Sequence, residues 1–128
     1  MLNGFEKQTE PLNDYERNVL LPLIVQGLQV RVGEKRAITN KKMTVALRNK
    51  GYEISETRVR KIINHIRNHA LVKRLIATSK GYYIASTVEE LGEYIECVIG
   101  RESAIRAMRE SMQEQYNEWL LTMQYNKL

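Results

Sequence analysis

Between Ser55 and His69 the chain interleaves two kinds of residue. Val59, Ile62, Ile63 and Ile66 are aliphatic, while Thr57, Arg58, Arg60, Lys61, Asn64, His65 and Asn68 carry hydrogen-bonding or charged groups. At 100° per residue the aliphatic four fall on one helix face, at i, i+3, i+4 and i+7. Thr57, Lys61, Asn64 and Asn68 then occupy the opposite face, flanked by Arg58, Arg60 and His65. After Glu56 no carboxylate interrupts this strip. Lys and Arg donate to guanine O6 and N7, and Asn pairs with adenine in bidentate fashion. Any amphipathic helix turns a polar face to water. The scarcity of acids beside so many donors is what favours a polyanion.

The charge balance of the chain supports the same chemistry. Its 128 residues carry a net charge of only +5. Residues 31–80, however, hold fourteen Lys or Arg against Glu34, Glu53 and Glu56 alone, a local net of +11, and both flanks are acidic. Such asymmetry points to a polyanionic partner. The composition, 43% hydrophobic and 27% charged, is ordinary for a globular protein. No apolar run approaches the ~18 residues of a membrane span. The start, Met1-Leu2-Asn3-Gly4-Phe5-Glu6, lacks the basic and apolar regions of a secretory signal, so a cytoplasmic location is expected. Cys97 is the only cysteine, which excludes an internal disulfide. It is expected to be a buried, inert thiol.

Catalytic patterns are not found. There is no phosphate loop, nucleophile elbow or pair of catalytic carboxylates. Glu89, Glu90, Glu93 and Glu96 read as a solvated helix face. His65 and His69 stand i, i+4 on one helix, but no Cys or further His accompanies them, so neither a metal nor another cofactor is expected. The chain is expected to be non-enzymatic.

The elements that must hold the basic strip can be placed from their boundaries. Asn13 and Glu16 form a capping box for a first helix, with Pro22 expected to bend or split it and Gly33 to end it. Residues 36–39 suit a short strand. Thr39 caps a second helix over residues 40–50, stopped by Gly51, and Ser55 caps the third, residues 56 to about 69. Residues 71–78 and 82–86 are β-prone around Ser79-Lys80-Gly81, a hairpin pattern. Of the adjacent Tyr82 and Tyr83, alternation predicts one inward and one exposed. Thr87 to Glu90 opens another helix, interrupted at Gly100, and a last helix follows over residues 101–125.

This order resembles a winged helix-turn-helix domain over residues 13–86. The second helix, Gly51-Tyr52-Glu53-Ile54 and the third helix match the helix-turn-helix, and residues 71–86 match the wing. The phrases Ile38-Thr39-Asn40-Lys41-Lys42 and Ser55-Glu56-Thr57-Arg58-Val59-Arg60-Lys61-Ile62 also resemble small proteins of phage and mobile elements. The expected class is mainly α with a small β-hairpin (α+β): residues 1–12 a flexible lead-in, 13–86 the winged helix, 87–128 a C-terminal helical extension serving dimerisation. The resemblance implies binding of double-stranded DNA with the third helix in the major groove. Thr57, Arg58, Lys61 and Asn64 are then expected to read bases, and Arg60 bases or phosphate. Thr39, Asn40, Lys41 and Lys42 at the start of the second helix would hold the backbone, with His65, Asn68, Lys73, Arg74 and Lys80. Transcription regulation, or replication of a phage or mobile element, is the implied use. The rival reading is a protein-interaction or assembly module that does not bind DNA.

Ile105, Met108, Met112, Trp119 and Met123 form an apolar stripe along the last helix. Such a stripe either packs back on the first helix or pairs with another copy. A homodimer is expected, as in many dimeric winged-helix regulators.

Overall fold

The computed structural model describes residues 9–126. The expected lead-in therefore lies largely outside the described residues, and its last part is not loose. Leu12 is buried in the core, and the Glu10 and Pro11 carbonyls accept hydrogen bonds from Arg58.

The capping box forms. Glu16 N–H donates to Asn13 Oδ1 at 2.8 Å, and Asn13 N–H donates to Glu16 Oε1 at 2.9 Å. A π-helical stretch, Glu16–Leu20, then runs directly into α1, Leu21–Gln29. Pro22 lies in the first turn of α1. There its ring would crowd the carbonyl four residues back. The wider π turn relieves this, so the helix neither splits nor stops. It ends at Gln29, before Gly33 is reached. Gly33 (φ +87°) instead introduces the 3-10 turn Glu34–Arg36. That turn takes in Arg36, the first residue of the expected short strand, which shrinks to one bridge. Ile38 N–H donates to the Tyr82 carbonyl (3.1 Å) and Tyr82 N–H to that of Ile38 (2.8 Å).

Helix α2 is Asn40–Asn49, with Thr39 Oγ1 accepting the Lys42 amide at 3.1 Å. It closes at Gly51 (φ +92°). The Gly51 and Tyr52 amides return to the Arg48 and Leu47 carbonyls, a glycine-dependent C-terminal cap. Helix α3 is Glu56–Asn68, with Ser55 Oγ accepting the Arg58 amide. Strands β1, Leu75–Thr78, and β2, Gly81–Ile84, pair antiparallel, with Thr78 opposite Gly81. Both are shorter than their β-prone runs.

One core joins these elements: Leu20, Ile24 and Leu28 from the first helix, Met43 and Leu47 from α2, Val59, Ile62, Ile63 and Ile66 from α3, and Leu75, Tyr82 and Ile84 from the hairpin. The aliphatic face of α3 is thus buried as its spacing required. Tyr82 and Tyr83 are both buried, contrary to the alternation argument. Tyr82 faces the core. Tyr83 lies on the other hairpin face beside its cross-strand partner Ile76, which is buried too. Alternation exposes one residue only when one face meets water, and here both faces are covered.

Helix α4 is continuous over Val88–Asn126. Gly100 does not interrupt it. A glycine inside a helix costs about 1 kcal/mol, too little to break a long one. The chain divides into two compact units between Leu91 and Gly92. The architecture is mainly helical with one small antiparallel hairpin, an α+β arrangement. Among the described residues no helix is long and apolar enough to cross a membrane.

Candidate nucleic-acid interface

Two close contacts bring three elements together. Asn40 Nδ2, at the start of α2, donates to the Glu56 carbonyl at the start of α3 at 2.7 Å. The hairpin turn lies against the cap of α2 because Gly81 has no side chain. A Cβ there would stand 2.5 Å from the Ile38 carbonyl carbon and oxygen and 2.8 Å from the Thr39 nitrogen, and φ is +119°. Between them opens a recess of about 180 Å³ lined by Thr39 and Asn40, by Arg60 of α3, and by Ala77, Thr78, Ser79, Gly81 and Tyr82 of the hairpin.

The recess suits an anion. Arg60 is exposed and forms no ion pair among the described residues. Thr39 takes the Lys42 amide, which leaves the Asn40 and Lys41 amides at the positive end of α2 with no acceptor inside the helix. Lys41 and Lys42 are exposed beside them and have no acid partner among the described residues. Two lysines in a first turn oppose the helix dipole; a bound phosphate would remove that conflict.

Arg58 departs from its expected role in base reading. Its Nε and Nη2 clamp Glu16 at 2.7 and 2.6 Å, and Nη1 and Nη2 donate to the Glu10 and Pro11 carbonyls at 2.9 and 3.0 Å. The carboxylate of Glu16 is almost wholly buried. The Arg58 hydrogen bonds hold it below the usual carboxylate range against the opposing effect of burial, and Glu16 in turn raises Arg58. This guanidinium is an internal tie. Sequence spacing put Arg58 on the flank of the strip, and nothing local revealed a partner 42 residues away.

The remaining strip is open to solvent to differing degrees. Thr57, Lys61 and Asn64 are half-buried, and Asn68 is exposed. His65 stacks on His69 with ring centroids 4.1 Å apart. Burial lowers the His65 pKa, and the nearby positive charges of His69, Arg17 and Lys61 lower it further. A neutral His65 can hydrogen-bond a phosphate but adds no charge. Arg17, which sequence reasoning passed over, therefore lies near His65 on the flank of the strip. Its place in the first helix, remote in sequence from residues 31–80, concealed this.

On the hairpin, Lys80 is at the turn, but its ammonium is paired with Glu34, which raises its pKa. Lys73 and Arg74 are exposed in the segment before β1, not on the strand. Arg74 has φ +63°. Cys97 is exposed, not buried, because its helix buries none of its residues. The residues of the C-terminal stripe are exposed for the same reason. Among the described residues no cluster of three His, Cys, Asp or Glu could hold a metal ion. Compared with family models, curated proteins and solved structures, the chain finds no match, so its function must be argued from these residues alone.

Proposed function

We propose that this chain binds double-stranded DNA without catalysing a reaction on it. In this reading residues 13–86 form a winged helix, α3 is the recognition helix and the β1–β2 hairpin is the wing. The single observation that carries it is the recess shared by the start of α2, Arg60 and the hairpin turn. It sets the guanidinium-bearing Arg60, without an ion pair among the described residues, beside the start of α2 and a polar helix face that has no acid after Glu56. Arg60, Lys61, Thr57 and Asn64 then meet base edges or the adjoining backbone, while Thr39, Asn40, Lys41 and Lys42 hold a phosphate. Asn68, His65, Arg17, Lys73 and Arg74 extend the backbone contact. Lys80 joins only when it exchanges Glu34 for a phosphate. Regulation of transcription, or replication of a phage or mobile element, follows as the use of such a module in the cytoplasm.

Fluorescence anisotropy on random-sequence duplex DNA at low salt tests this. Binding is expected, and Arg60→Ala or Lys61→Ala should weaken it about tenfold, corresponding to roughly 1–3 kcal/mol per contact. Arg58→Lys should leave the affinity nearly unchanged if the protein remains folded. Absence of binding at low salt refutes the reading and favours an assembly module.

A further inference from the structure

The geometry points to a second copy of this chain as the occupant of the α4 apolar face, paired antiparallel about residue 107. Helix α4 has 39 residues and buries none of them. A helix of that length, about 58 Å, is normally sustained by packing along an apolar face. Leu91, Val98, Ile105, Met112 and Trp119 recur every seven residues. A second row, four residues further on, holds Ile95, Glu102, Arg109, Tyr116 and Met123. Together they make the alternating 3–4 seam of a two-stranded coiled coil. Trp119 and Ile105 are 68% and 62% exposed, and of the apolar seam residues only Leu91 is half-buried.

The two charged seam positions decide the direction. A parallel, in-register pair would set Glu102 against Glu102 and Arg109 against Arg109, two like-charge layers in a desolvated seam. The antiparallel pair sets each seam residue against the one whose number makes the sum 214. Ile95 then faces Trp119 of the partner subunit, Tyr116 faces the partner's Val98 and Met123 faces the partner's Leu91. Glu102 falls one layer from Arg109 of the partner subunit, and the symmetry repeats this contact on the other side. On the free helix, among the described residues, Glu102 pairs with the exposed Arg106, 3.3 Å away, and Arg109 with Glu110 at 3.9 Å. Shifting the register by seven residues either way loses two layers. Glu102 itself faces the partner's Met112 and Arg109 the partner's Ile105, so six of the ten layers are apolar throughout, and it is the opposite charges in neighbouring central layers that select a second copy in this direction. The pairing does not depend on DNA binding.

The native Cys97 supplies the test. It is exposed and stands on the outer side of the seam. Residue 111 lies two heptads further on, at the same position of the repeat. Nitroxide labels on Cys97, and separately on Ser111→Cys in a Cys97→Ser background, are measured by pulsed electron resonance on the full chain. The antiparallel pair separates the two labels along the axis by about 30 Å at position 97 but only about 12 Å at position 111. Sedimentation equilibrium should give a dimer. Ile105→Asp, at a solvent-exposed seam site, should reduce the mass to that of one chain, whereas Ser103→Asp on the outer face should not. Equal distances at the two positions, a single-chain mass for the unmodified protein or an assembly larger than a dimer would overturn the proposal. An Ile105→Asp monomer that keeps its DNA affinity would separate this pairing from the DNA-binding reading.

Discussion

The guanidinium of Arg58 spends its donors within the protein, on a carboxylate and two carbonyls. Removing it leaves Glu16 buried and unpaired, a change that destabilises on the order of 3 kcal/mol. Arg58→Ala should therefore lower the urea midpoint markedly, and Glu16→Gln should lower it less because an amide is cheaper to bury than a charge. The same pair sets a pH dependence. The folded Glu16 pKa lies below its ordinary 4.5. The resulting stability is present above the unfolded pKa and is lost as pH falls through the lower folded value. Unfolding midpoints measured from pH 6 down to pH 3 should fall more for the natural chain than for Glu16→Gln. Parallel profiles would contradict the tie.

Turns and caps illustrate what an element requires of a single position. The C-terminal cap of α3 has the same hydrogen bonds as that of α2, from the Ala70 amide to the Arg67 carbonyl and from Leu71 to Ile66. But Ala70 adopts φ +52° where α2 has Gly51. A left-handed alanine costs roughly 1–2 kcal/mol, partly offset by the greater unfolded-state freedom of glycine. Ala70→Gly should raise stability by up to about 1 kcal/mol, read as a shift in thermal midpoint. Gly81→Ala should act oppositely and more strongly. It meets both a positive φ and the Ile38–Thr39 backbone, and overpacking alone costs about 1–3 kcal/mol. On the DNA-binding reading it should also weaken affinity by displacing the turn from the start of α2. A Gly81→Ala protein as stable as the natural chain would remove the close approach from the argument. The caps at Asn13, Thr39 and Ser55 were readable because capping depends on neighbours three residues apart. The burial of Tyr83 was not, since it depends on what covers the far side of the hairpin. Nor was the continuity of α4 through Gly100, because the neighbouring helical turns outweigh the small cost of one interior glycine.

At the scale of the molecule, a net charge of +5 conceals a region of +11. If the proposed interface uses that region, affinity for duplex DNA should fall steeply with salt, and each lost phosphate contact should flatten the logarithmic slope by about one unit. Lys41→Ala with Lys42→Ala should change the slope by about two units, whereas Lys50→Ala, outside the recess, should leave it unaltered. The α2, α3 and hairpin succession, the caps, the buried face of α3 and the heptad rows of α4 were determined by the sequence, because each depends on spacings of at most seven residues. Which basic side chains remain available was decided by the tertiary structure. Arg58 meets Glu16 from 42 residues away, Lys80 meets Glu34 from 46 away, and Arg60, two residues from Arg58, is left facing the recess. Charge is a property of composition, but a free charge depends on what the fold sets beside it.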